Sequence, residues 1–299
     1  MDRLANGQAR LLELQNWTIQ TLNALSFASI LLLLAAGFSI TFGLMRVLNM
    51  AHASFFVLGA YVGMEVWKHT HNFGLVLLAG SLAMGVAGLI TYKVFLERFS
   101  REEEFPQALM TIGILLVASE VARWTWGGRV YLPNGPAFAS GSVAFAGMVF
   151  PKYRLLLIAV GALAALALWV VLTRTRVGAL VRATVDDAEV ARGLGVNTNL
   201  LFLGVFGLGA TLAGFGGVLA APVLGLYSGL DWEALLLAVV VVIVGGVGNF
   251  YGLLAGSLVV AFVDTFTRWF MPELAWFTIF LPVVLVLAFR PHGLLGRPQ

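Results

Sequence analysis

The sequence predicts an all-α integral membrane protein, and three observations carry that prediction. Sixty per cent of the residues are hydrophobic and 11% charged, with a mean hydropathy of +0.93, whereas a soluble domain is nearer half apolar and a quarter charged. Segments of roughly 20 apolar residues, each long enough to cross a bilayer, recur along the whole chain. These segments are continuously apolar and do not alternate, which selects helices over a closed barrel. No stretch could form a separate soluble domain, so residues 1–299 read as a single transmembrane domain.

The N-terminal 20 residues mix charges with leucines and do not resemble a cleavable signal. They are expected to form an interfacial helix with Leu11, Leu12, Leu14 and Trp17 towards lipid. Spans follow at about 17–44, 47–66, 73–95, 108–124, 155–172, 200–221, 234–247, 253–269 and 274–289. The first is long enough to tilt. The seventh is short enough to be re-entrant, which leaves the bundle at eight or nine transmembrane helices. Between the fourth and fifth spans lies a loop rich in Gly, Pro and Ser, whose alternation at 142–149 suggests a small hairpin. The glycine-rich GGVGNFYG (245–252) separates the seventh span from the eighth, because it cannot continue a helix.

The chain is organised around the polar interruption TRTRVGALVRATVDDAEVARGLGVNTN (173–199), tied to a span at each end. Val177, Leu180, Val181, Val185, Ala188, Ala191 and Leu194 recur at helical spacing, while Arg182, Asp186, Glu189 and Gly193 take the opposite face. This predicts a short amphipathic helix on the membrane surface. Thr184 with Asp187 resembles a short-armed capping box, and Gly193 and Gly195 supply a stop. Arg174, Arg176, Arg182 and Arg192 favour a cytoplasmic location by the positive-inside rule. Nine spans would then put the N-terminus outside and the C-terminus inside.

Polar groups within a bilayer are expensive and are candidates for function. Asn49, His52 and Ser54 sit in the first turns of the second span, beside Ala51 and Ala53, which permit close helix approach. They either line a substrate path or hold helix to helix. Asp264 with Arg268, and Glu120 with Arg123, read as structural ion pairs. Gly204, Gly207, Gly209, Gly214, Gly216 and Gly217 crowd the sixth span, at intervals that let helices pack backbone to backbone.

The absences narrow the function. With no cysteine, disulfides and thiolate metal sites are excluded, and the four scattered histidines offer no metal-ligand spacing. No P-loop motif occurs, nor any nucleophile elbow or paired carboxylates. A membrane-embedded transferase would need such a cluster. A stand-alone secondary transporter would need coupling charges near the membrane midplane and no docking helix. The net charge of +3 lies in loops and suggests membrane orientation, not nucleic-acid binding. These features describe a conduit.

Four stretches in order, GLMRVLNMAHASFFVLGAYVG (43–63), RATVDDAEVARGLGVNTN (182–199), GGVGNFYGLLAGSLVVAFVD (245–264) and RPHGLLGRP (290–298), resemble the inner-membrane permeases of branched-chain amino acid ABC transporters, above all the H-type subunit of the Liv system. The resemblance covers nearly the whole chain. It is specific for family and weak for substrate, since urea and short-chain amide permeases share these stretches. One departure stands at His52-Ala53-Ser54, where the family often has His-Gly followed by an acidic residue. The resemblance implies a bacterial inner-membrane protein with no cofactor and no ATPase site of its own. It also implies a second, M-type permease subunit, two cytoplasmic ATPase subunits that use ATP-Mg, and a periplasmic substrate-binding protein. The amphipathic segment then corresponds to a coupling helix that docks on the ATPase through Arg182, Thr184, Asp186, Asp187, Glu189, Ala191 and Gly195.

Overall fold

The computed structural model describes residues 2–45, 49–97, 104–275 and 277–296, which contain eleven α-helices and one hairpin. Six helices are long and apolar enough to cross a membrane. They are α1 (Asp2–Met45), α3 (Phe73–Thr91, continued as a π turn over Tyr92–Leu96), α4 (Glu104–Trp126), α5 (Lys152–Arg174), α8 (Thr198–Leu224) and α10 (Phe250–Phe270). Between them lie α2 (His52–Thr70) and α9 (Leu230–Gly245), and α11 (Phe280–Phe289) closes the order. The protein is an all-α multi-pass membrane bundle, as the composition requires.

α8 is the hub, packed against α1, α2 and α3. Its glycines make this possible. A methyl group on Gly214 would lie 2.6 Å from the Gly80 carbonyl oxygen of α3, and one on Gly59 of α2 would lie 2.5 Å from the Gly214 Cα. On the other face of α8, a methyl on Gly37 of α1 would lie 2.5 Å from the Gly209 carbonyl oxygen. Such approaches are how helices associate in lipid, where apolar side chains gain little from leaving the solvent. Gly204, by contrast, faces open space, so the packing role expected of this run belongs to the other five.

Several expectations change. The N-terminal residues do not form a separate interfacial helix: α1 runs unbroken for 44 residues, roughly 66 Å. Its first turns change in hydropathy but keep good helix formers such as Leu, Gln, Arg and Glu. Trp17 packs on Phe266, Trp269 and Phe270 of α10. The second span starts at His52, not at 47, and Asn49 lies in the turn before it. The last span was expected over 274–289, yet α11 has ten residues, roughly 15 Å or half the hydrocarbon thickness. A 3-10 turn at Pro272–Leu274 precedes it.

The hairpin expected near 142–149 is present as β1 (Ser142–Phe145) and β2 (Met148–Pro151), with Phe145 opposite Met148. Its two-residue turn has positive φ at Ala146 and Gly147, the geometry of a type I′ turn. Gln15 of α1 donates to the Ala146 carbonyl at 3.1 Å, and Tyr131 exchanges backbone hydrogen bonds of 2.8 Å with Leu226. These contacts place the hairpin at the same end of the bundle as the α1 N-terminus and the α8–α9 connection. At the opposite end, the α9–α10 break is held by Asn249, whose side chain accepts from Tyr251 N at 3.0 Å and donates to Leu295 O at 2.7 Å. Leu294 N also donates to Val244 O at 2.8 Å.

Candidate functional site

The surface segment lies at this second end as two helices, α6 (Arg176–Asp186) and α7 (Ala188–Gly193), where the sequence suggested one. The break falls at Asp187, whose extended backbone ends α6 and whose carboxylate accepts from Glu189 N and Val190 N, both at 2.9 Å. Aspartate satisfies two free amides of a helix start in this way. Thr175 caps α6 by accepting from Gly178 N at 3.2 Å.

Thr184 therefore caps nothing. It is buried inside α6 and donates to Leu180 O at 2.9 Å. Gly195, at φ +88°, is a stop of the expected kind. Val181 is buried with Val185 beside it, both against Ile40 of α1 and Leu201, Phe202 and Val205 of α8. Part of the apolar stripe thus seats the segment on the bundle. Ala191 is buried as well and can touch no partner. The outward surface carries Arg182, Asp186 and Glu189, with Val190 58% and Leu194 80% exposed. Among the described residues, none of these three charges is in an ion pair.

Asn49, His52 and Ser54 do not converge. His52 is buried against α1, with Nε2 2.9 Å from the Leu34 carbonyl oxygen and its ring 5.8 Å from that of Phe38. Ser54 faces the other way, into a small pocket of about 20 Å³ shared with Tyr61, Ser119 and Asp231. Ser119 donates to the Asp231 carboxylate there. Among the described residues, Asn49 Oδ1 and Ser54 Oγ are buried without a hydrogen-bond partner.

The principal cavity lies elsewhere. A cavity of about 870 Å³ is lined by α1, α9 and α10, under the heads of α5 and α11. On α1 its wall descends from Gln20 and Asn23 through Ser26 to Ile30, Leu31 and Leu34, roughly 21 Å along the axis. Polar side chains line the mouth, and the floor is apolar, closed by Leu34 and Phe56. The mouth is at the hairpin end, opposite α6 and α7, because Arg154 begins α5 and Tyr227 and Glu233 flank the start of α9. His52 reaches this cavity only indirectly, through Leu34.

Charge at the mouth is of two kinds. Asp264 and Arg268 form the expected pair, with Nε 2.9 and 2.8 Å from the two carboxylate oxygens, and Thr278 adds a third bond at 2.7 Å. Arg154 instead donates to the neutral Asn23 Oδ1 at 2.5 Å. Glu233 accepts from the Tyr227 hydroxyl at 2.7 Å. Burial, reinforced by this acceptor, pushes the Tyr227 phenol up to about 12, so at neutral pH it remains a donor. Among the described residues neither Arg154 nor Glu233 has a salt-bridge partner. Glu120 and Arg123, also paired as expected at 2.6 Å, are exposed on α4.

Arg154, Tyr227 and Glu233 did not stand out in the sequence, because each sits among other polar residues at the head of an apolar run, where a solvated loop end is expected. A usable signal was present on α1, where Gln20, Asn23 and Ser26 mark one face at three-residue spacing inside an apolar segment.

A bundle of apolar helices with a deep polar-mouthed cavity at one end and an amphipathic segment across the other defines a membrane permease. The chain belongs to the family described as "Branched-chain amino acid transport system / permease component", whose model matches residues 20–289. It is 24% identical to the high-affinity branched-chain amino acid transport system permease protein BraD of Pseudomonas aeruginosa, covering 96% of this chain and 98% of that one. It is 26% identical to LivH of Salmonella typhimurium, covering 94% and 96%, and 25% identical to LivH of Escherichia coli K12 over the same shares. Among solved structures, PsaBC from Streptococcus pneumoniae in complex with Fab is 13% identical, with 88% and 87% of the two chains covered and a TM-score of 0.49; at that level it adds nothing to the family assignment.

Proposed function

We propose that this chain is a membrane-spanning subunit of a bacterial inner-membrane ABC importer that translocates branched-chain amino acids. The energy comes from ATP-Mg hydrolysed by two separate cytoplasmic ATPase subunits, and the chain itself holds no cofactor. A second permease subunit and a periplasmic binding protein complete the assembly. The observation that carries this reading is the polarity of the molecule along its axis. A cavity with a polar mouth and apolar floor opens at one end, and a segment with Arg182, Asp186 and Glu189 exposed lies across the other.

α6 and α7 face the cytoplasm and dock on an ATPase, where Arg174, Arg176, Arg182 and Arg192 satisfy the positive-inside rule. The buried Val181 and Val185 fix the segment to α1 and α8, so a push on α6 moves those helices as rigid bodies. That motion closes the periplasmic mouth and opens the other end, a switch between two states that ATP binding biases. Asp186 and Glu189 meet complementary charge on the ATPase.

The test is ATP-dependent uptake of radiolabelled L-leucine by proteoliposomes containing all subunits. Uptake should require the complete assembly and hydrolysable ATP. Uptake driven by an ion gradient in vesicles holding this chain alone would establish a secondary transporter instead. Single cysteines replacing Arg182 and Ser142 should react from opposite sides of the membrane, the first from the cytoplasm; labelling of both from the periplasm would sink the arrangement.

A further inference from the structure

We infer that Arg154 and Glu233 form a two-ended site for a free zwitterionic amino acid in the cavity, Arg154 for its carboxylate and Glu233 for its ammonium. This rests on the importer reading and deepens it by assigning recognition to particular side chains of this chain. The argument begins with charge accounting. Arg154 is half-buried and Glu233 exposed, and both line the cavity, so both are open to a charged ligand. At the cavity mouth Asp264 and Arg268 neutralise each other, and Thr278 fills a further acceptor site. They need no ligand.

Arg154 and Glu233 differ in kind. Each lines the same cavity, each has one neutral partner, Asn23 or Tyr227, and neither is in a salt bridge among the described residues. Asn23 and Tyr227 hold the two groups in position without cancelling them. A guanidinium carries five donors in a fixed fork. One bond to Asn23 leaves a face free for bidentate contact with a carboxylate, which the planar fork matches. A carboxylate has about four acceptor sites, and Tyr227 uses one. The two charges therefore complement a molecule with one anionic and one cationic end.

The rest of the cavity specifies the remainder of that molecule. Below the charged mouth the wall becomes apolar at Ile30, Leu31, Leu34 and Phe56. An aliphatic side chain would displace water there while the charged end stays at the mouth. Urea and small amides carry no formal charges to satisfy Arg154 and Glu233, and they would leave the apolar floor unfilled.

The native chain has no cysteine, which permits a direct test. Thr265→Cys places a reporter thiol in the cavity wall. In the full complex without binding protein, its reaction with a polar maleimide should be slowed by millimolar L-leucine. Neither 3-methylbutylamine, which lacks the carboxylate, nor 4-methylpentanoate, which lacks the ammonium, should protect comparably. Charge-assisted hydrogen bonds support a loss of roughly tenfold or more in leucine affinity on Arg154→Gln or Glu233→Gln, with Arg154→Lys retaining part of it. If Arg154→Gln fails to assemble, Glu233→Gln and Arg154→Lys carry the test. Equal protection in the parent and the variants, or protection by the amine or acid as good as by leucine, overturns the assignment. No protection in the parent also overturns it, while the importer reading survives provided the assembly with binding protein still takes up leucine.

Discussion

Between α2, α3 and α8 the backbones meet at glycines with no room for a methyl group, whereas between α1, α9 and α10 the bundle leaves about 870 Å³ unfilled. Both regions share α1 or its immediate neighbours, and both are built from similar apolar segments. The difference is what stands at the contact. Gly59, Gly80 and Gly214 bring three backbones together and fix their spacing, so these helices can move only as a unit. On the cavity side α9 and α10 also meet at Gly245, Gly252 and Gly256, but further along Phe27, Leu31, Leu237 and Ile279 line an open space and polar side chains occupy its mouth. One half of the bundle is a block and the other half encloses a gap.

The largest expected effect breaks the block. Gly217→Val would drive its side chain into the Phe56 carbonyl of α2, a backbone atom that cannot rotate away. Gly214→Leu meets the Gly80 carbonyl in the same manner. Overpacking of this kind costs about 3 kcal/mol or more, so neither variant should survive extraction as an assembled protein. Gly204→Ala is the control, since nothing lies near it. Size-exclusion profiles of the three in mild detergent provide the measurement, and an intact peak for Gly217→Val would show that α2 and α8 are not packed as described.

The next effect is at the seam between block and gap. His52 joins α2 to α1 through Leu34 O, directly below the cavity floor. His52→Leu removes a buried interhelical bond, worth about 0.6 kcal/mol on average in a membrane bundle, and should lower the apparent melting temperature slightly while the complex assembles. Uptake should fall if the α1–α2 seam sets the depth of the cavity. Normal melting and normal uptake together would make the bond surplus.

A charge effect should follow at the far end. Asp186 and Glu189 project outward and are exposed, so replacing both with lysine should leave the bundle stable within about 0.5 kcal/mol. The loss should appear as weakened ATPase binding in pull-downs, or as hydrolysis no longer coupled to uptake, because desolvated charge pairs at an interface are costly to break. Ala191 is unsuited to this test: it is buried, and a tryptophan there would damage the segment itself.

How much of this was legible in the sequence depends on whether the deciding interaction is local. The apolar runs, the hairpin at 142–149, the break at 245–252 and the Asp264–Arg268 pair are set by residues within a few positions, and all are present in the structure. The split at Asp187 is local too, but Thr184 offered a competing cap. Burial against the bundle decided between them by drawing the Thr184 hydroxyl back to Leu180. The cavity was not legible, because its wall is assembled from residues of α1, α5, α9 and α10, far apart in sequence, and no segment encodes that alone. Arg154 and Glu233, 79 residues apart in number, acquire a common site only through the fold.

The smallest expected change in stability comes from filling the gap. Leu237 lines the cavity on α9 and is partly buried. Leu237→Trp adds an indole where about 870 Å³ stands unfilled, so the overpacking that defeats Gly217→Val has no cause here. Melting should shift by no more than about 0.5 kcal/mol equivalent, since the new ring meets space and not backbone. Transport should respond in the opposite proportion: a rigid ring takes up space in the cavity that Leu237 lines, and leucine uptake should fall at least as far as in His52→Leu. The pairing of an unchanged melting curve with lost uptake is the result expected. If Leu237→Trp destabilised the protein as severely as a glycine substitution, the space beside Leu237 would be closed in the membrane, and the division into block and gap would be wrong. If it were stable and transported normally, the cavity would lie off the substrate's route.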